Sequence, residues 1–177
     1  ALELGADPNK VRAAAAAFNG LEHRLEFVRE KDGIAYWNDS YATRPEAVLG
    51  AVEALKDRPL GIILGGSEKH ADFRELAEAL AAAPNLAAVA LIGQTAERLR
   101  EALRAAGMDT PGKPAPAGFQ NGRTFDSLES AVAFLRAAVG AAGGGHVALS
   151  PACASFGMFE NYKERGKAFK RVVQALG

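Results

Sequence analysis

The chain has 177 residues, 49% of them hydrophobic, with 21 Lys+Arg against 21 Asp+Glu and a formal net charge of zero. That length suits one domain, or one domain with a fragment attached, and the apolar share is enough to fill a real core. The charge balance argues against a nucleic-acid footprint or a polybasic membrane surface, no run reaches the roughly 18 apolar residues of a membrane span, and a single cysteine, Cys153, rules out an internal disulfide framework and suits a reducing, cytoplasmic setting.

The start, ALELGADPNK, has no initiator Met and begins inside an apolar pattern, as a piece of a longer chain would; it does not read as a signal peptide. Asp7-Pro8 followed by residues 10–18 predicts an Ala-rich helix with Asp7 as its cap and Pro in the first turn. Asn19-Gly20 stops it and marks an expected boundary between a tail, 1–19, and a main domain, 20–177. Residues 23–28 and 34–37 read as strands, and Asp32-Gly33 between them is a hairpin signal. After Thr43, the spacing of Ala47, Val48, Ala51 and Leu55 predicts a helix, and Thr43 with Glu46 fits a capping box.

From there strands and helices alternate. Residues 60–64, 86–92 and 146–149 are continuous apolar runs, as in strands buried on both faces. Helices are predicted over 72–83, opened by Asp72 with Glu75; over 95–106; over 126–139, opened by Asp126 with Glu129; and over 159–176. Residues 110–121 hold Pro111, Pro114 and Pro116 and read as a loop, with 123–125 a short strand at best. The alternation predicts an α/β fold: a mostly parallel sheet with helices on both faces and an antiparallel hairpin strand at the start.

Ligands of such sheets bind outside the carboxyl ends of the strands. Three of those ends are small and polar: Asn38-Asp39-Ser40, Gly65-Gly66-Ser67-Glu68-Lys69-His70, and Ser150-Pro151-Ala152-Cys153-Ala154-Ser155. The fourth, Gly93-Gln94-Thr95, is plainer. Gly65-Gly66 lets a backbone approach a ligand closely, and Lys69 adds a point charge suited to a carboxylate or phosphate. An ordinary solvated turn explains the same residues. The loop is neither a Walker A motif nor G-x-G-x-x-G.

Ser155 reads as lying near the start of the last helix, where it can cap the helix or help bind an anion. Cys153 reads as a small buried residue rather than a nucleophile. Tyr162 falls on an apolar stripe with Phe159, Phe169, Val172, Val173 and Leu176, so core packing accounts for it. Gly166 interrupts that stripe and implies a close approach. Asp39 is explained by neither strand nor cap. It is well placed to accept from a ribose hydroxyl. His23, His70 and His146 show no metal-ligand spacing, and no G-x-S-x-G elbow is present.

FNGLEHRLE (18–26), NDSYATRPEA (38–47), LGGSEKHADF (64–73) and LSPACASFGMFENYKERGKAF (149–169) resemble, in this order and spacing, the C-terminal domain of the Mur ligases, and within them the branch that adds D-glutamate. The resemblance runs from about residue 18 to the end, with residues 95–140 carrying little of it. It implies a Rossmann-like domain of a three-domain, ATP-dependent, amide-bond-forming ligase of peptidoglycan precursor synthesis. That enzyme uses ATP and Mg²⁺ to join D-glutamate to UDP-N-acetylmuramoyl-L-alanine through an acyl phosphate.

The resemblance also implies that residues 1–19 are the tail of the central ATPase domain, which holds the Mg²⁺. The missing domains are then this chain's partners, with no nucleic acid, no membrane, a monomeric state and no activity in the fragment alone. Carried over by position, Arg24 and Asp39, with Asn38 beside them, contact ATP. Thr43, Lys69, Ser155 and the backbone at Phe156 hold the D-glutamate carboxylates, and Tyr162 forms an aromatic wall. Tyr41 stands where the family usually has lysine, so it joins the acceptor-side candidates. Two alternatives stay open: a relative with another acceptor amino acid or a dipeptide, and a stand-alone Rossmann-like module for a small anion or nucleotide.

Overall fold

The computed structural model describes residues 5–18, 20–67, 70–108 and 120–177. Helix α1 (Pro8–Ala17) opens as the sequence predicts: Asp7 accepts from the Asn9 amide at 2.8 Å, and Pro8 takes the first helical position. None of its residues is buried. Strands β1 (Glu26–Lys31) and β2 (Ile34–Asn38) then pair antiparallel around Asp32-Gly33. Both turn residues have positive φ, 53° and 73°, which is what a tight two-residue hairpin needs. β1 starts three residues later than expected because His23 and Leu25 adopt left-handed backbone, with φ of 64° and 42°.

The remaining elements are α2 (Pro45–Ala54), β3 (Leu60–Gly65), α3 (Arg74–Ala82), β4 (Leu86–Ile92), α4 (Ala96–Ala105), β5 (Gln120–Phe125), α5 (Leu128–Ala141), β6 (Gly145–Leu149) and α6 (Tyr162–Gln174). One sheet holds six strands in the order β1-β2-β6-β3-β4-β5, parallel except for the first pair. This is the α/β architecture the alternation predicts.

The apolar runs are continuous because both faces of the sheet are covered. Ile62, Leu64, Val89 and Leu91 pack into one core with Val48 and Val52 of α2, Leu76 and Leu80 of α3, and Leu99 of α4. Ile63, Ala90, Ile92, Val147 and Leu149 point the other way, onto Val132 and Leu135 of α5 and Phe169 and Val173 of α6. Strand residues thus alternate between two cores, with the period of two that β geometry imposes. Among the described residues no helix is long and apolar enough to cross a membrane.

Chain path sets the site. The crossover through α2 leaves a gap between β2 and β3, and β6 fills it after returning along the opposite face through α5. Strand order reverses there, so the crevice of this fold opens at the carboxyl ends of β2, β6 and β3. Those are the three small, polar strand ends.

Several helix starts differ from the sequence reading. The N-cap of α2 is Arg44, not Thr43, and no side chain caps it. Pro45 drives the residue before it to extended geometry, φ −137° and ψ 149°, which moves the boundary by one and undoes the Thr43–Glu46 capping box. Helix α3 begins at Arg74, two residues late, because Asp72 instead accepts from the Arg74 amide at 3.0 Å and pairs with its guanidinium at 2.6 Å. Ser127, not Asp126, caps α5 by accepting from the Ser130 amide at 3.2 Å.

Asn161 caps α6 by accepting from the amides of Lys163 and Glu164 at 2.9 and 3.0 Å, so the last helix starts at Tyr162 rather than 159. Ser155 is therefore a full turn and more before that helix and neither caps it nor sits at its N-terminus. Most of the predicted 110–121 loop, along with Asn19, Glu68 and Lys69, lies outside the described residues. Gln120 and Asn121 belong to β5, which pairs with β4 as a full strand of six residues.

Candidate functional site

The three polar strand ends are stitched to one another. The Asp39 amide donates to Leu149 O (2.8 Å), the Gly65 amide to Pro151 O (2.7 Å), the Ser67 amide to Ala154 O (2.8 Å), and the Ser150 amide to Ile63 O (3.2 Å). Gly65 and Gly66 allow close backbone packing at this edge. A Cβ at either would sit 2.1 Å from a backbone oxygen, Ile92 O or Ala154 O respectively, and both have positive φ.

Two adjoining cavities open on this edge. One, about 620 Å³, is lined by Arg24, Asp39, Tyr41 and Tyr162. The second, about 370 Å³, is lined by Ser67, Asp72, Thr95 and Cys153. Thr43 and Arg44 line both and form the wall between them. Such a pair of clefts at a topological switch point is the usual form of a small-molecule site in this class.

In the first cavity, the Arg24 guanidinium lies 4.7 Å over the Tyr41 ring, a cation–π contact. Tyr41 meets Tyr162 edge-on at 5.1 Å, and Tyr162 meets His23 at 5.9 Å. Tyr162 has left the apolar stripe for the cavity wall. Asp39 is buried, and burial holds its carboxyl above the usual carboxylate range against the lowering effect of Ser150, Leu25 and Arg24. Its oxygens accept from the Leu25 amide (3.0 Å) and the Ser150 hydroxyl (2.6 Å). Asp39 thus has a structural task invisible in the sequence: it ties the strained 21–25 loop, which presents Arg24, to the end of β6.

Asn38 is fully buried and is not among the residues lining either cavity. Its amide nitrogen contacts His23 Nδ1 at 2.9 Å and donates to Glu26 Oε2 at 2.9 Å. Gly166 follows from this contact, because a Cβ there would stand 2.3 Å from His23 Nδ1 and 3.0 Å from Asn38 Oδ1. That is the close approach its mid-helix position implies.

In the second cavity, Cys153 is buried as expected, and its sulfur lies 3.3 Å from Thr95 Oγ1. Thr95, from the strand end that looked plain, is buried and accepts from the Gly66 amide at 3.1 Å. Sequence reasoning missed Thr95, Arg44 and Asp72. Among them Arg44 and Asp72 were visible only as charges at expected helix starts. Ser155 is buried and Phe156 exposed, and neither is among the residues lining the two cavities.

The profile described as "Mur ligase, glutamate ligase domain" matches residues 23–153. The chain belongs to the Mur ligase family. Curated relatives agree over nearly its whole length. UDP-N-acetylmuramoylalanine--D-glutamate ligase of Roseiflexus sp. (strain RS-1) is 42% identical over 179 residues, covering 99% of this chain and 35% of the relative. The enzyme of the same name from Pseudomonas fluorescens is 42% identical over 167 residues, covering 93% and 34%. The chain therefore spans about a third of the length of the curated relatives it matches.

Among solved structures, a MurF from Acinetobacter baumannii superposes with a TM-score of 0.62 at 15% identity, covering 98% of this chain and 35% of that one. A Mycobacterium tuberculosis folylpolyglutamate synthase complexed with ADP and AMPPCP gives 0.60 at 19%, covering 93% and 35%. At such identities these two establish a shared fold alone.

Proposed function

We propose that this chain is the acceptor-binding and nucleotide-closing part of an ATP-dependent ligase that joins D-glutamate to UDP-N-acetylmuramoyl-L-alanine in peptidoglycan precursor synthesis. The observation that carries the reading is the pair of cavities sharing the Thr43-Arg44 wall, in a chain 42% identical to ligases of that name. Two reactants that must meet need adjoining sites, and most of the rate gain in such a step comes from holding them in line.

Residues 1–19 are then the tail of the preceding ATPase domain. In support, α1 buries none of its side chains and the family match starts only at residue 23. The whole protein acts as a cytoplasmic monomer.

In the proposed reaction the γ-phosphoryl group of ATP passes to the L-alanyl carboxylate oxygen, and ADP leaves. The D-glutamate amine attacks the acyl carbon, the C–O bond breaks with its electron pair going to phosphate, and the nitrogen gives up a proton. Arg24 and Asp39, backed by Asn38, serve the nucleotide. Thr43, Lys69, Ser155 and the Phe156 backbone serve the two carboxylates of D-glutamate, with Tyr41 and Tyr162 as the aromatic wall. A dicarboxylate needs a cation and converging donors, and charge-assisted bonds are the strong ones.

Mg²⁺, which neutralises phosphate charge in such transfers, is assigned to the rest of the longer protein. Among the described residues, Glu22, His23 and Glu26 are the group close enough to share an ion. Lys170 already bonds both of those carboxylates, at 3.2 and 2.7 Å, which does not fit a metal seat.

The test is phosphate release by the full-length protein with UDP-N-acetylmuramoyl-L-alanine, ATP and a panel of acceptors. D-glutamate is expected to be ligated, and the 177-residue chain alone is expected to be inactive. Preference for another amino acid or a dipeptide, which the tyrosine at 41 would then explain, or turnover by the chain alone, would overturn the reading. Lys69→Ala is expected to raise the KM for D-glutamate far more than that for ATP.

A further inference from the structure

Behind the two cavities lies a side chain the proposed reaction does not use. Arg165, in the first turn of α6, is fully buried. Its guanidinium makes three bonds in three directions: Nε donates to Ser40 Oγ at 3.0 Å, Nη2 to Ser40 O at 2.9 Å, and Nη1 to Cys153 O at 3.0 Å. Ser40 stands between Asp39 and Tyr41 of the first cavity, and Cys153 lines the second. The Ser40 hydroxyl passes the tie on, donating to Tyr162 O at 2.7 Å. Gly66, on the third strand end, comes so close that a Cβ there would sit 3.2 Å from Nη1.

All three acceptors are neutral oxygens. Burial lowers the guanidinium to a pKa of about 10, so it remains charged at neutral pH. Keeping a cation in such a place costs stability that an apolar residue would not. What a planar fork offers in return is fixed geometry: it holds the ends of β2 and β6 at one distance, which a lysine, a point charge on a flexible stem, cannot do.

We propose that Arg165 is a positioning residue that sets the spacing between the two cavities, and with it the placing of the nucleotide-side and acceptor-side residues around Ser40. The kinetic consequence rests on the ligase reading; the structural one does not.

The experiment uses the full-length protein with Arg165→Lys and Ser40→Ala, each assayed well below its Tm by steady-state kinetics and by hydrogen exchange. Arg165→Lys is expected to raise KM for both ATP and D-glutamate by roughly tenfold or more, the loss of about one charge-assisted bond at each wall, and to leave KM for the UDP-sugar within twofold. Ser40→Ala, which keeps the charge and the bond to Cys153, moves the same two constants less. In exchange, amides over 39–43 and those of Gly65 and Ser67, which donate to Pro151 O and Ala154 O, lose protection together while β1 and α5 do not change.

A reduced kcat with all KM values unchanged, the mark of a lower folded fraction, would overturn the proposal. So would a wild-type-like Arg165→Lys, or exchange that accelerates uniformly or only within α6. If the wild-type protein ligates nothing, the functional reading fails, and the exchange result still decides whether Arg165 ties the two walls.

Discussion

Both edges of the sheet tie polar side chains into hydrogen bonds, yet they use them differently. At the amino edge, His146 Nδ1 accepts at 3.1 Å from Nε1 of Trp37, a residue of the carboxyl half of β2. An indole nitrogen only donates, so Nδ1 accepts and the proton sits on Nε2, which donates to Asp57 at 3.1 Å. Asn85 likewise donates to the carbonyls of Leu55 and Arg58, at 2.9 and 2.8 Å. Those groups close loops on one another. At the carboxyl edge, Asp39, Ser67 and Thr95 are tied just as firmly but also line cavities. Burial of a polar residue therefore does not by itself mark a site. What marks it is a polar residue fixed by the fold on one side and facing open space on the other.

Substitutions at the two edges should separate accordingly, and Asp39→Ala should do most. It leaves the Leu25 amide and Ser150 hydroxyl without their charged acceptor, a loss of about 3 kcal/mol by denaturant unfolding, together with a large rise in KM for ATP. Asp39→Asn sharpens the point through pH. Burial raises the native carboxyl above its unfolded value, so the folded state binds the proton more tightly. Stability should then fall as pH rises from 3.8 through that raised value, and the Asn variant should lose this slope.

Gly166→Ala comes next. The methyl gains about 1 kcal/mol of helix propensity but collides with His23 and Asn38, so a net loss of about 2 kcal/mol is expected in the same measurement. Trp37→Phe removes one neutral hydrogen bond, to His146 at the other edge, and should cost about 1 kcal/mol while leaving both KM values unchanged. A KM shift there would erase the distinction between the edges.

The smallest effect belongs to Asp72, held down to a pKa of about 2 mainly by its hydrogen bond from Arg74. Its contribution is present above the unfolded value of 3.8 and lost as pH falls towards 2, so Asp72→Asn should slightly flatten acid unfolding in that window. The pair is fully exposed and salt should mask it.

The fold was legible because its signals are local: Asp32-Gly33 for the hairpin, and apolar runs such as 86–92 for strands covered on both faces. Strand ends pointed to the edge that carries the two cavities for the same reason. Helix starts were less legible. Thr43, Asp72 and Ser155 all resemble caps, and which oxygen meets which amide depends on backbone geometry that Pro45 or Asn161 decides. Long-range ties were not legible at all. Nothing in the neighbourhood of Thr95 announces Gly66, and nothing near Arg165 announces Ser40, 125 residues away.

The proposed nucleotide role of Arg24 is tested most directly by Arg24→Ala in the full-length protein. Arg24 is exposed and stacks on Tyr41, so its removal should disturb the fold little. Loss of a charge-assisted contact to the nucleotide predicts a rise of roughly tenfold or more in KM for ATP, with KM for D-glutamate within about twofold. A rise in the D-glutamate constant instead, or an equal rise in both, would contradict the assignment of Arg24 to the nucleotide.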